Sequence, residues 1–225
     1  MPAPDFLDAG GAASMATMLM MSHHAFRRDL ARFARALADD PPPRAAALAE
    51  EWKGYHAALH GHHAMEDGTI LPGLAKDHPE VAPVVAALGE DHRRIDPLLA
   101  RGDAAFGRIR ERGAARDAAA VVAELKAFLD PHLAKEEAEI VPFLRKVLRF
   151  EVPPLDEAMV ALYAEGFAWS SHGVAPDVLD RVYAMLPEGL RSRLPAARAA
   201  FAARCERVWG TAAAGASRTP VPDGP

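Results

Sequence analysis

The chain carries one cysteine, Cys205, in 225 residues. That excludes disulfides and thiolate-bound metals, and a reducing compartment fits it. There is no stripe of lysine and arginine. Basic residues are spread along a chain of net charge −5, which argues against nucleic acid as a partner. The apolar run over residues 15–21 is too short for a secretory signal and far too short for a membrane span, and the residues before it include Asp5 and Asp8 but no lysine or arginine. The expectation is a cytoplasmic protein with no membrane partner. Two metal-binding signatures are also missing: the Glu-x-x-His of ferritin-like carboxylate sites and the His-Glu-x-x-His of zinc proteases.

What is present is helical periodicity. Half the residues are hydrophobic, enough for one ordinary domain with a modest extension. Leu19, His23, Phe26, Leu30, Phe33 and Leu37 step by threes and fours, which is one face of a helix beginning near residue 14. His24 falls in phase with Arg27 and Arg28 and is expected to face out. A second helix, about 43–75, aligns Trp52, Tyr55, Leu59, His62, Glu66 and Ile70. A third, about 79–112, aligns Val85, Leu88, His92, Ile95 and Leu99, with Pro97 expected to kink it. A fourth, about 115–149, aligns Val121, Leu125, Phe128, His132, Glu136 and Ile140. Gly54, Gly61 and Gly68 recur every seven residues; the readings are close approach of another helix or chance in a Gly- and Ala-rich sequence.

Residues 155–166, 176–186 and 188–209 read as three further helices. The predicted fold is all-α: an up-down-up-down four-helix bundle over 14–150, capped by a helical extension over 151–210. Residues 1–13 are expected to be flexible and 211–225 disordered.

A repeat runs through the bundle. His62-His63-Ala64-Met65-Glu66 is matched seventy residues later by His132-Leu133-Ala134-Lys135-Glu136, and each copy has a proline six residues past its glutamate, Pro72 and Pro142. His23 lies 39 residues before His62, and His92 lies 40 before His132. Residues four apart on a helix stand one above the other, so HisxxxGlu aims an imidazole and a carboxylate at one point. Four histidines and two glutamates on faces that should be apolar are costly unless paired or coordinated.

His23, His62, Glu66, His92, His132 and Glu136 are therefore the candidate metal ligands. Imidazole with carboxylate suits iron, zinc, copper or nickel, and six ligands are too many for one tetrahedral zinc. Two six-coordinate metals, bridged by both glutamates and by an oxo or hydroxo group, would keep two positions open for a small ligand. Tyr55, two turns before His62, is a candidate donor to the cluster, with core packing as the competing reading. His56, His60, His63 and Asp67 are expected on the outer or flanking face.

With these residues the chain resembles the hemerythrin-like, or HHE cation-binding, proteins over roughly residues 14–149. The resemblance implies a non-haem centre of two iron ions with a bridging oxo or hydroxo, and by position the six candidates match the family's ligands. The oxygen-carrying hemerythrins have a fifth histidine, from an i,i+4 pair on the third helix. Here Leu88 and Asp96 stand one turn either side of His92, which leaves Asp96 as a candidate extra ligand. The last HisxxxxAsp of those carriers is HisxxxGlu here. The expected function is reaction with oxygen, peroxide or nitric oxide, with redox turnover such as peroxide disproportionation or oxidation of a small substrate. The alternative is a carrier or sensor without turnover. No side chain outside the ligand set is assigned as acid or base.

Overall fold

A computed structural model describes residues 6–39, 42–146 and 156–210. The described residues are helical throughout, with no strand among them. In chain order the helices are α1 (Met15–Ala36), α2 (Ala45–Met65), α3 (Leu71–Asp77), α4 (Ala82–Gly107), α5 (Ala114–Glu139), α6 (Val141–Leu144), α7 (Glu157–Ser170), α8 (Pro176–Met185), α9 (Glu188–Arg191) and α10 (Leu194–Trp209). Among the described residues no helix is long and apolar enough to cross a membrane.

The chain divides into two compact units, one spanning Asp29–Ile140 and the other joining Met1–Arg28 to Val141–Pro225. In the Asp29–Ile140 unit, α4 packs on both α2 and α5. The periodic residues predicted to face inward do so: Phe33, Trp52, Leu59, Leu88, Ile95, Leu99 and Leu125 are all buried. Three predicted apolar members are only half-buried: Val85, Phe128 and Ile70. Phe128 is half-buried under the Arg94 guanidinium, 4.6 Å from its ring centre, and Leu129 takes the core position. Trp52 anchors the aromatic part of this core. Its ring stacks on Phe106 at 4.6 Å, meets Phe33 edge-on at 5.6 Å, and donates its Nε1 hydrogen to Asp103 at 2.9 Å.

The close-approach reading of Gly61 and Gly68 is corrected here. A Cβ at Gly61 or Gly68 would meet nothing within 4 Å, so no neighbouring helix requires them. The close approach is at Gly102 on α4, where a Cβ would lie 1.9 Å from Trp52.

The prolines after the two glutamates reshape both helices. The segment Glu66–Ile70 is a π-helical turn, and the Leu71 amide donates to the Glu66 carbonyl five residues back. Pro72 cannot donate to the Gly68 carbonyl, which weakens the ordinary ladder at this point. The extra residue rotates the face that follows. Leu71 is buried where the α period predicts Ile70, which is only half-buried. In the second copy the helix stops instead. The α5 helix ends at Glu139 and the short α6 carries Pro142, so the predicted continuous fourth helix is broken; residues 147–149 lie outside the described residues. By contrast α4 runs through Pro97 without interruption.

In the other unit, α7 packs on α9 and α10. Met21, Phe167, Val178, Leu179, Val182 and Leu194 belong to one apolar core. Asp156 caps α7, accepting from the Met159 amide at 2.8 Å. The predicted 188–209 helix is two helices, because Pro195 in the first turn of α10 starts a helix and cannot continue one. His24 does not face out as the period implied. It is buried, with Nε2 3.2 Å from the His172 carbonyl, and the Arg28 guanidinium donates to that carbonyl and to that of Trp169. The extension supplies polar partners to a face of α1 that the period alone reads as solvated.

Residues 6–13, expected to be flexible, form a turn in which the Asp8 carboxylate accepts from the Gly10 and Ala12 amides, each at 2.8 Å. The predicted disordered tail, 211–225, lies outside the described residues.

Candidate metal centre

Five of the six candidate ligands lie in the Asp29–Ile140 unit. His62 and Glu66 are carried by the end of α2 and the π turn, His92 by the middle of α4, and His132 and Glu136 by the last turns of α5. Glu66, His92, His132 and Glu136 are buried, and the His62 side chain is 11% exposed. The helical spacing does what the sequence implied within each pair. His62 Nε2 is 3.2 Å from Glu66, and His132 Nε2 is 3.5 Å from Glu136. The pairs also converge, because His92 Nε2 is 3.7 Å from both Glu66 and Glu136. Ligand atoms of His62, Glu66 and Glu136 fall within 4.8 Å of one another. The sixth candidate, His23, is fully buried on α1 in the other unit.

His63 is corrected by the structure. Expected on the outer face, it is buried, stacked on His92 with ring centres 4.1 Å apart, and edge-on to His132 at 5.5 Å. One nitrogen from each of His63, His92 and His132 lies within 4.8 Å of the others. The sequence signal was the adjacent His-His pair, in which His63 stands three residues before Glu66. That spacing also places two side chains on one helix side.

A carboxylate orients the His92 ring from outside, and a second one faces His132. The Nδ1 hydrogen of His92 is donated to Asp67 at 2.9 Å. A carboxylate only accepts, so in the neutral ring Nε2 is the unprotonated nitrogen, and it faces Glu66 and Glu136. The Asp91 carboxylate stands 3.7 Å from His132 Nδ1 and is held by Lys135 at 3.1 Å. Periodicity placed Asp67 among solvated groups; it is half-exposed, and its contact with His92 is what the period did not announce.

The remaining candidates lie apart. Asp96 is exposed, with its carboxylate 3.8 Å from His60, and the structure does not bring it to the cluster. His56 is paired with Asp103 at 3.0 Å. Tyr55 is packed against Trp52 and Phe33. Burial, and then the charges of Asp29 and Asp130, push its phenol well above the ordinary tyrosine value, so it stays protonated.

The electrostatics of the cluster call for a cation. Burial, then the neighbouring Glu136 and Asp67 charges, push the Glu66 carboxyl well above its usual range. Burial and the surrounding imidazoles push His63 down to about 2, with Glu136 opposing them. Burial works against the His92 imidazolium, but Glu136 and Asp67 outweigh it and raise its value. Glu66 Oε2 and His63 Nε2 are buried with no hydrogen-bond partner among the described residues. Buried polar atoms of this kind ordinarily find a partner. A neutral imidazole lone pair and two close carboxylates are the donor set that a transition-metal cation satisfies.

No curated protein and no solved structure matches the chain. A family model does: the hemerythrin HHE cation-binding domain, over residues 14–149. That span contains every histidine and glutamate of the cluster, and the chain belongs to the hemerythrin HHE cation-binding family.

Proposed function

We propose that the cluster holds two iron ions and that the protein turns over a small oxidant, with hydrogen peroxide as the first candidate. The observation that carries this reading is the convergence of His62, Glu66, His92, His132 and Glu136 on one buried locus. His23 joins them on the strength of the sequence repeat, since it precedes its HisxxxGlu by nearly the interval at which His92 precedes the other. The architecture that fits is an up-down-up-down bundle of α1, α2, α4 and α5, with the helices after residue 156 as its cap.

When bound, such a pair of irons supplies one-electron redox steps and Lewis acidity. The protein's share is geometric and electrostatic. Glu66 and Glu136 would be carboxylate ligands and would offset the metal charge. Asp67 fixes the His92 ring and its tautomer through Nδ1, and Asp91 faces the matching atom of His132. Burial of the donors restricts access to small molecules. Disproportionation balances without any further reductant: two peroxides give two waters and one dioxygen.

The test is to load the protein with iron, reduce it anaerobically, and follow its absorption on adding oxygen and then peroxide. Catalytic gas release from peroxide is the expected result. A reversible oxygen spectrum without turnover would replace the enzyme by a carrier or sensor. A folded protein that takes up no iron would overturn the reading altogether.

A further inference from the structure

One side chain of the cluster is not among the six ligands of the repeat. His62 and His63 are neighbours, and only His62 has glutamate four residues on. Yet His63 is the more deeply buried of the two, and its ring, not that of His62, lies face to face with His92. Its nitrogen is grouped with those of His92 and His132, all three buried. His63 Nε2 meets no hydrogen-bond partner among the described residues. A histidine kept for packing would pair that nitrogen or be replaced by an apolar side chain of similar size.

We infer that His63 is itself a metal ligand, forming a three-imidazole set with His92 and His132. It supplies from α2 the additional histidine that Leu88 and Asp96 do not supply on α4. The inference rests on the two-iron reading. It has a chemical consequence. With a fifth imidazole, the two metal positions are no longer equivalent, although the sequence that builds them is a repeat. One position is rich in imidazole, and the other falls to the two remaining histidines of the repeat and the carboxylates. If both glutamates bridge, the added ring also fills one of the two positions that a four-histidine count would leave for a small ligand.

The experiment compares the wild-type chain with His63→Leu, His63→Ala and His63→Gln. Each is loaded anaerobically with enriched ferrous iron and examined by metal analysis and Mössbauer spectroscopy, with helicity and melting of the metal-free proteins as the control for folding. The wild type is expected to hold two irons per chain in two distinct quadrupole doublets. His63→Leu should bind one of them at least tenfold more weakly and change the corresponding doublet. His63→Ala should regain that doublet when free imidazole is added, an outcome that a purely structural role would not produce. If the variants fold, keep both irons and give the wild-type doublets, His63 is not a ligand. His63→Gln, closest in size and polarity, decides the matter should the other two fail to fold. A wild-type protein that folds without binding iron would instead overturn the two-iron reading itself, so the two failures are distinguishable.

Discussion

Replacing Gly102 by alanine tests the packing that supports the cluster. In an open helix the change would be favourable, because alanine is about 1 kcal/mol better than glycine in a helix interior. Here the new methyl would sit 1.9 Å from one indole carbon of Trp52 and 2.6 Å and 2.8 Å from two others. The ring must move by more than an ångström, and it is boxed in by Phe106, Phe33 and Tyr55. Overpacking of a tight core costs about 1–3 kcal/mol, and loss of the Trp52–Asp103 hydrogen bond adds about 1 kcal/mol. After the helix gain is subtracted, the expected net loss is about 2 kcal/mol, or a melting temperature lower by about 4–8 °C for a chain of this size.

Gly61→Ala is the matched control. It lies in α2, where an added Cβ meets nothing, and should gain up to about 1 kcal/mol. Urea unfolding followed by circular dichroism reads both. A Gly102→Ala protein as stable as the wild type, at unchanged denaturant slope, would refute the packing argument.

Four further outcomes are expected. Asp67→Asn keeps a polar side chain but weakens the acceptor on His92; iron affinity should fall by about 10–100-fold, measured by competition with a chelator, with little change in metal-free stability. In the metal-free protein His63 stays neutral when folded and protonates at about 6.5 when unfolded, so its contribution is present above that pH and is lost as the pH falls. The stability difference between His63→Leu and wild type should therefore shift in favour of the variant by up to about 1.4 kcal/mol per pH unit below 6.5, and a difference that stays flat from pH 7 to 5 would contradict a buried neutral ring. Tyr55→Phe should leave iron content and the visible spectrum unchanged, because the phenol stays protonated within the aromatic core; loss of a phenolate charge-transfer band on mutation would overturn that placement. Chelation of iron from the wild type should lower its melting temperature, and iron should restore it in proportion to the logarithm of its concentration.

The periodicity of α4 and α5 was enough to place His92, His132 and Glu136 inside, because a regular helix converts sequence spacing into facing direction with no other information. Reading failed where a helix is irregular or where its outer face is covered. Ile70 was expected inside and Leu71 takes its place, because one added residue in the π turn rotates everything after Glu66. Asp67 is half-exposed, as the period implies, and its carboxylate also reaches His92. His24 and Arg28 follow an outward phase, yet the turn after α7 gives them buried carbonyl partners, which no local pattern announces. His63 is the instructive case. Its i+3 relation to Glu66 was legible, but the i+4 relation of His62 dominated the reading.

The π turn also sets which chain lengths this segment tolerates. A helix that loses one residue in its interior rotates every later side chain by about 100°, which normally destroys the packing downstream. Between Asp67 and Thr69 the chain already holds one residue more than ordinary winding needs. Deleting Thr69 would bring Leu71 to the fourth position after Glu66, where an unbroken helix keeps it inward. The molecule therefore contains a place where its length can shrink by one with the downstream frame preserved.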